Sequence, residues 1–219
     1  ALLVDGGYAD RVVCATCSHF ATAERQYRFP LELGNQRTPT AQWTVTGAGA
    51  TLLGRGEAKG LPLRLTAATI GRVVDRQQTD INNMGAAMAP AAADTLLAHL
   101  RDLHRSVQDY DLIVTGDLGC VGYDLMCLLC EQKGVSLDGR YIDCGCEVFS
   151  PEQDVHAGGS GCGCSACCLN GWLFRRMLSG EIRRLLFLAT GALMSTTTSL
   201  QGESIPAIAH AVTLEVEEG

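Results

Sequence analysis

Short apolar runs alternate with longer segments of helical periodicity along this chain. The apolar runs, which are typical of buried strands, are residues 12–16, 111–115 and 184–190. The segments with apolar residues at three- and four-residue spacing, predicted as helices, are 83–107, 123–132 and 160–178. Strands that alternate with helices are typical of βαβ units, so the sequence predicts an α/β fold with mostly parallel sheets.

Four further segments complete the predicted elements. Residues 42–53 are β-branched and interrupted by glycine, which indicates a strand with a bulge, and residues 63–74 alternate as a strand does. Two last strands are predicted around Leu193 and over residues 207–216. Residues 1–16 are interpreted as the tail of a helix, a glycine turn and a strand buried on both faces, so we expect the chain to begin inside a fold. Residues 22–40, rich in charge and proline, are predicted as a loop.

Charge and hydropathy exclude several classes of function. The 219 residues carry 17 basic and 24 acidic side chains, and no run of lysine or arginine is present. The sequence therefore lacks the basic surface that binds a nucleic-acid backbone. The longest apolar stretch, residues 185–193, is far shorter than the ~20 residues that span a bilayer. We expect a soluble or peripheral protein without a transmembrane segment.

The eleven cysteines are numerous and odd in number. Pairs such as Cys14 with Cys17 and Cys127 with Cys130 suggest a metal site, but they fall within predicted strands and helices rather than on converging turns. Buried cysteine behaves as a small apolar residue, so core packing by reduced thiols is the preferred interpretation. No metal or other cofactor is expected.

The segment from His156 to Leu178 contains five glycines, four of which cluster at the start of a predicted amphipathic helix. Glycines let a backbone approach a ligand closely, and the N–H groups at a helix start favour an anion. Tight packing of the helix against a sheet would need the same glycines, so ligand contact and packing remain equal alternatives here.

The histidines divide into two groups. His99 and His104 lie on a predicted helix among arginine and aspartate, where a solvated face is expected. His19 and His210 stand at strand ends beside small residues and could line a pocket. A hydrogen-bonded core histidine is an equal alternative for both.

Several long segments, in a fixed order, resemble the stage V sporulation protein AD family of spore-forming bacteria. They are SHFATAERQYRFPLELGNQRTPTAQWTVTGAGA, NNMGAAMAPAAADT, YDLIVTGDLG, AGGSGCGCSA and ATGALMSTTTSLQGESIPAIAHAV. The resemblance implies a thiolase-like fold, a layered αβαβα sandwich of two similar halves. Residues 1–60 would be the remainder of the N-terminal half and residues 61–219 the C-terminal half. The nucleophilic cysteine position would lie upstream of Ala1.

The resemblance also allows a check of the thiolase motifs. The GGHP turn corresponds to Gly158 and Gly159 followed by Ser160 and Gly161, so its histidine is absent. The CxG motif corresponds to residues 189–191, Ala-Thr-Gly, and the NEAF segment to residues 116–119, Gly-Asp-Leu-Gly. Acid/base and oxyanion groups each contribute ~10²-fold or more to rate, so their joint loss argues against acyl transfer.

The family resemblance implies binding of dipicolinic acid, a pyridine dicarboxylate, for uptake into the developing spore rather than catalysis. The residues expected to line the site are His19, Asp117, Ser160, Gly161, Cys162, Thr190, Gly191 and His210. Arg25, Arg28 and Arg37 are further candidates for carboxylate pairing. No residue of this chain is expected to be catalytic.

Partners and location are also implied by the resemblance alone. Other stage V sporulation membrane proteins are the expected partners, a homodimer is allowed, and the location would be cytoplasmic or peripheral at the inner spore membrane. Two alternatives remain open. One is an acyl-CoA-dependent acyltransferase or condensing enzyme with an upstream cysteine and His210 or His156 as base, and the other is a thiol or metal module.

Overall fold

The computed structural model describes residues 1–23, 38–56, 62–137 and 139–217. Arg25, Arg28, Arg37 and most of the predicted loop lie outside these residues. The strands are β1 (Arg11–Ser18), β2 (Trp43–Thr44), β3 (Gly47–Gly54), β4 (Leu63–Thr69), β5 (Leu112–Thr115), β6 (Tyr141–Asp143), β7 (Gly159–Ser160), β8 (Arg184–Ala192) and β9 (Ala207–Val216). The helices are α1 (Leu2–Asp5), α2 (Phe20–Ala23), α3 (Met84–Asp102), α4 (Gly119–Glu131), α5 (Cys144–Glu147), α6 (Cys162–Cys167), α7 (Phe174–Leu178) and α8 (Thr196–Leu200).

A five-stranded sheet in the order β4-β9-β8-β5-β6 forms the centre of the described structure. Strand β5 runs parallel to both β6 and β8, whereas β9 runs antiparallel to β8 and to β4. The sheet is therefore mixed rather than mostly parallel. The parallel strands lie together on one side, which brings their carboxyl ends to a common edge.

Both faces of this sheet are covered, because successive residues of a strand point to opposite sides. Leu186 and Leu188 of β8 pack in a core with α3 and α4. Leu185 and Phe187 pack on the other face with the helix that begins at α6. A π-helical segment, Cys168–Leu173, continues α6 into α7, so the predicted helix 160–178 is confirmed with a local widening.

The far side of α6 carries a ribbon of two antiparallel strands, β1 and β3. Helices, sheet, helix and ribbon thus form successive layers, and the layered α/β fold predicted from the sequence is confirmed. The glycines of β3 permit this packing, since a Cβ at Gly49 would lie 2.7 Å from the Ala166 carbonyl oxygen of α6. All strands of the central sheet come from residues 61–219. The division into two thiolase-like halves stays a prediction.

Several local predictions were wrong. Strand β1 is mostly exposed rather than buried on both faces, because only one face of the ribbon meets α6. Residues 42–53 form two strands with different partners, β2 with β7 and β3 with β1. No separate strand forms around Leu193, which follows β8 and precedes α8. The three-residue strand β6 was not predicted at all.

No helix within the described ranges is long and apolar enough to cross a bilayer.

Candidate functional site

Polar side chains from three neighbouring strands meet at the carboxyl edge of the parallel part of the sheet. Asp117 lies two residues after β5, Asp143 is the last residue of β6, and Thr190 lies near the carboxyl end of β8. The glycine-rich residues 158–161 approach the same edge just before α6. Ligands of open α/β sheets bind at this edge, so these residues form the candidate site.

The Asp117 carboxylate joins two of these segments. One oxygen accepts a hydrogen bond from the Gly161 backbone N–H at 2.9 Å, and the other accepts one from the Thr190 hydroxyl at 2.6 Å. The Asp117 backbone N–H donates in turn to the Thr190 oxygen at 3.2 Å. We call this arrangement of Asp117, Gly161 and Thr190 the carboxylate clamp. It brings together three residues that the sequence predicted for one site.

The Gln42 side chain forms hydrogen bonds to the backbone of the two segments that carry Asp117 and Gly161. Its side-chain amide donates to the backbone oxygens of Asp117 at 3.0 Å and Gly159 at 2.8 Å. Gly119 has a φ of 66°, and an added Cβ would lie 2.6 Å from the Gln42 amide nitrogen. Glycine is therefore required there both for its backbone conformation and for space.

The start of α6 is less open to a ligand than the sequence suggested. The Gly161 N–H is taken by Asp117, and the Gly163 N–H donates to the Ser18 hydroxyl at 2.8 Å. The Ser18 hydroxyl donates in turn to the Val45 carbonyl oxygen at 2.6 Å. Two of the N–H groups expected to hold an anion are thus already bonded within the protein.

Asp143 lies fully buried behind the clamp. Its two oxygens accept hydrogen bonds from the backbone N–H groups of Leu118, Gly119 and Gly145, each at 2.8 Å, and from the Thr115 hydroxyl at 2.6 Å. Burial raises the pKa of Asp143 from 3.8 to about 7, against the opposing effect of the Thr115 hydrogen bond. Sequence reasoning missed this residue, and its only signal was an aspartate at the end of a short apolar run.

The residues that the sequence resemblance aligns with the three thiolase motifs also lie at this edge. Gly116 is aligned with the oxyanion asparagine, and a Cβ there would lie 3.1 Å from the Thr190 hydroxyl oxygen. Ser160 is buried in β7, and Ala189 is exposed on β8. None of these side chains can act as a general base at neutral pH.

The predicted histidines are not part of the clamp. His210 is exposed and pairs with Ala189 across β8 and β9, on the sheet face that carries Leu185 and Phe187. Its Nδ1 accepts a hydrogen bond from the Gly71 N–H at 3.1 Å. His19 and His156 are also exposed, and His156 Nδ1 lies 2.9 Å from the Thr38 carbonyl oxygen.

Cys162 and Gly191 complete the predicted set. Cys162 is exposed at the first turn of α6, and Gly191 follows Thr190 on β8 with open space around it. Both neighbour the clamp in sequence. Whether any member of the predicted set contacts a ligand stays a prediction.

The cysteines are all free thiols. Cys130, Cys144, Cys164 and Cys168 are buried, as the core-packing interpretation requires, whereas Cys14, Cys17, Cys120 and Cys162 are exposed and contradict it. Hydrogen bonding to Cys168 and burial raise the pKa of Cys144 and of Cys164, which keeps both protonated. Within the described ranges no three His, Cys, Asp or Glu side chains are arranged to hold a metal ion.

Solved structures share the fold of this chain. It superposes on 3-oxoacyl-(acyl-carrier-protein) synthase III of Aquifex aeolicus with a TM-score of 0.56 at 11% identity, over 97% of this chain and 60% of that one. The synthase III of Pseudomonas aeruginosa gives a TM-score of 0.56 at 14% identity, over 99% of this chain and 62% of that one. At such identities the likeness shows a thiolase-like fold and nothing about activity.

Sequence comparison is more specific. The chain is 46% identical to stage V sporulation protein AD of Bacillus subtilis over 213 residues, which is 97% of this chain and 62% of that protein. It therefore spans less than two thirds of that relative's length. The family model for stage V sporulation protein AD matches residues 1–215. The chain belongs to the stage V sporulation protein AD family.

Proposed function

We propose that the intact protein acts in sporulation by binding dipicolinic acid, without catalysing acyl transfer. The observation that carries this proposal is the carboxylate clamp, which holds the framework of a thiolase-like site together. At the same edge, Gly116, Ser160 and Ala189 occupy positions where thiolases have acid/base or oxyanion groups. A preserved framework without those groups suits binding better than turnover.

The charge of Asp117 limits how such a ligand binds. A pyridine dicarboxylate carries two negative charges at neutral pH, and a nearby carboxylate repels them. Binding therefore needs positive or strongly polar partners beside the clamp. His210, His19 and the arginines at positions 25, 28 and 37 have that chemistry.

Calorimetric titration of the intact protein tests the proposal. Dipicolinic acid should bind saturably, and isophthalic acid, which lacks the ring nitrogen, should bind at least tenfold more weakly. His210→Asn should weaken binding by about tenfold through loss of a charge-assisted hydrogen bond. The matched control is His104→Asn, because His104 is exposed in the turn after α3 and has a φ of 52° that asparagine tolerates. No heat of binding at millimolar ligand would refute the proposal.

A condensing enzyme is the second candidate, favoured by the synthase III likeness. It would need a cysteine outside this chain as nucleophile. Incubation of the intact protein with acyl-CoA, followed by mass spectrometry, should show no acylated cysteine. A stoichiometric acyl adduct would replace the binding proposal with this one.

The proposed uptake role brings partners and a location with it. We propose that the protein docks on stage V sporulation membrane proteins and is peripheral at the inner spore membrane, and that it can form a homodimer. Nucleic acid is not a proposed partner, given the net charge of −7. Fractionation of sporulating cells should place the protein with the membranes only while those proteins are present.

A further inference from the structure

Asp143 supports the candidate site without belonging to its surface. It is separated from solvent by the turn of residues 116–119 and by α5, whose first residue follows it directly. We propose that Asp143 is the positioning residue of the site: it fixes that turn and thereby holds Asp117 in the clamp. This inference rests on the proposed function only in that both concern the same site.

The hydrogen bonds make the Asp143 carboxylate a common acceptor for three segments. Leu118 and Gly119 belong to the turn that carries Asp117, Gly145 to the first turn of α5, and Thr115 to the end of β5. The two turn donors directly follow Asp117 in sequence. A shift of the Asp143 carboxylate would therefore move the backbone from which Asp117 reaches Gly161 and Thr190.

The part of the chain that the structure describes supplies no compensating cation to Asp143. No lysine, arginine or histidine there forms an ion pair with it, and the charged group that acts on its pKa is Asp117, which raises it. The titratable groups that face it are Asp117, Tyr141, Cys144, Cys146 and Cys164. Among the described residues, four neutral donors stabilise its negative charge.

Proton uptake would disturb this arrangement in a defined way. An ionised carboxylate can accept all four hydrogen bonds, whereas a neutral acid accepts more weakly, and its one O–H displaces a backbone donor or makes the Thr115 hydroxyl turn round and accept. Protonation should thus loosen the turn, and because the pKa of Asp143 is raised to about 7, the change falls near neutral pH. The hydrogen bond from Gly161 to Asp117 should change at the same pH, because Asp117 belongs to the turn that Asp143 holds.

Amide chemical shifts in the ligand-free intact protein test the inference. The N–H signals of Leu118, Gly119 and Gly145 should titrate together with a midpoint near 7. The Gly161 N–H, which bonds to Asp117 and not to Asp143, should follow the same midpoint. In Asp143→Asn these transitions should vanish, whereas the exposed control Asp154→Asn should keep them. If the Gly161 signal does not change with pH while those of Leu118, Gly119 and Gly145 do, the positioning role of Asp143 is wrong.

A second pair of variants protects the test if Asp143→Asn does not fold. Thr115→Val removes a hydrogen bond that lowers the pKa of Asp143, so the common midpoint should move to higher pH. Thr115→Ser retains the hydroxyl and should restore the original midpoint. An unchanged midpoint in Thr115→Val would count against Asp143 as the titrating group.

Ligand affinity separates this inference from the proposed function. If dipicolinic acid binds, Asp143→Asn should weaken it by about tenfold, because the asparagine NH2 must face a backbone donor. If it does not bind, the proposed function fails, and the amide titration still decides the role of Asp143. Binding that is intact in Asp143→Asn, together with an undisturbed Gly161 signal, would refute the inference and leave the proposed function standing.

Discussion

Each end of the central sheet buries a side chain that titrates below about pH 8 when exposed, Asp143 at one end and His99 at the other, and the two are held differently. At the carboxyl edge, Asp143 accepts hydrogen bonds mainly from backbone N–H groups. Near the amino ends of β5 and β8, the fully buried His99 is held by side-chain hydroxyls. Its Nδ1 lies 2.7 Å from the Thr69 oxygen, and its Nε2 lies 2.8 Å from that of Tyr110 and 3.1 Å from that of Thr213.

Burial acts on both groups in opposite directions. It raises the pKa of Asp143 to about 7 and lowers the pKa of His99 from 6.5 to about 4, because in each case the charged form loses solvation. The His99 cluster joins α3 to the sheet and holds no exposed group. The Asp143 cluster fixes the largely buried turn of residues 116–119, in which the Asp117 side chain is partly exposed. The difference teaches that a buried polar group supports a site when its partners are the backbone of a turn that carries a site residue.

The largest expected effect tests how tightly the carboxyl edge is packed. In Gly145→Ala the new Cβ would overlap the Gly159 carbonyl oxygen and lie 2.8 Å from a carboxylate oxygen of Asp143. We expect the free energy of unfolding to fall by about 3 kcal/mol or more in chemical denaturation. Gly171→Ala is the matched control in a helix with open space, and it should change stability by less than about 1 kcal/mol. Equal losses of unfolding free energy in the two variants would show that the contact between Gly145 and Gly159 tolerates a Cβ.

The second prediction concerns pH at the amino end. Because the pKa of His99 is lower in the folded state, its contribution to stability is complete above about 6.5 and is lost as pH falls through about 4. The loss should be on the order of 3 kcal/mol. Asp143 acts in the opposite sense, since its raised pKa favours folding below about 4 and this benefit disappears as pH rises through about 7.

Denaturation of His99→Gln and wild type across this pH range measures the histidine effect. The difference in unfolding free energy between the two should shrink as pH falls from about 6.5 to about 4. A difference that is constant with pH would mean that His99 has the same pKa in the folded and unfolded states, and the prediction would be wrong.

The smallest expected effect is the loss of unfolding free energy when one tyrosine hydroxyl is removed. One tyrosine from each cluster is compared. Tyr110→Phe removes a hydroxyl that bonds to His99 and lies 3.3 Å from an Arg105 guanidinium nitrogen, so about 1–2 kcal/mol of stability should be lost. Tyr141→Phe removes a hydroxyl whose partner, Thr115, still bonds to Asp143, so the loss should stay near or below about 1 kcal/mol. If Tyr141→Phe loses more unfolding free energy than Tyr110→Phe in thermal or chemical unfolding, the prediction that the His99 cluster depends more on its tyrosine hydroxyl is wrong.

Much of the fold could be predicted because long elements carry a repeating pattern. The helical spacing of residues 83–107 matches α3, and the apolar run 184–190 matches β8. Strand β6 is too short for any periodicity to show. His99 was placed on a solvated face because Arg101 and Asp102 follow it, although its three-residue spacing from Leu96 puts it on the buried stripe.

The candidate site was predicted in part. Asp117, Gly161 and Thr190 were each singled out, and the structure joins them directly. Gln42, Ser18 and Asp143 were missed, since polar residues that bond to distant backbone have no local sequence signal. Gln42, for example, contacts a carbonyl 117 positions away.

The sequence by itself determined the α/β class and the family, because patterns and residue identities are local properties. Only the tertiary structure decided that the Asp117 carboxylate accepts a hydrogen bond from the Gly161 N–H before α6. It also decided that Asp143 bonds to the turn that carries Asp117. The physical reason is that a buried polar group must find partners wherever folding brings them, and those partners lie on strands and turns far apart in the chain.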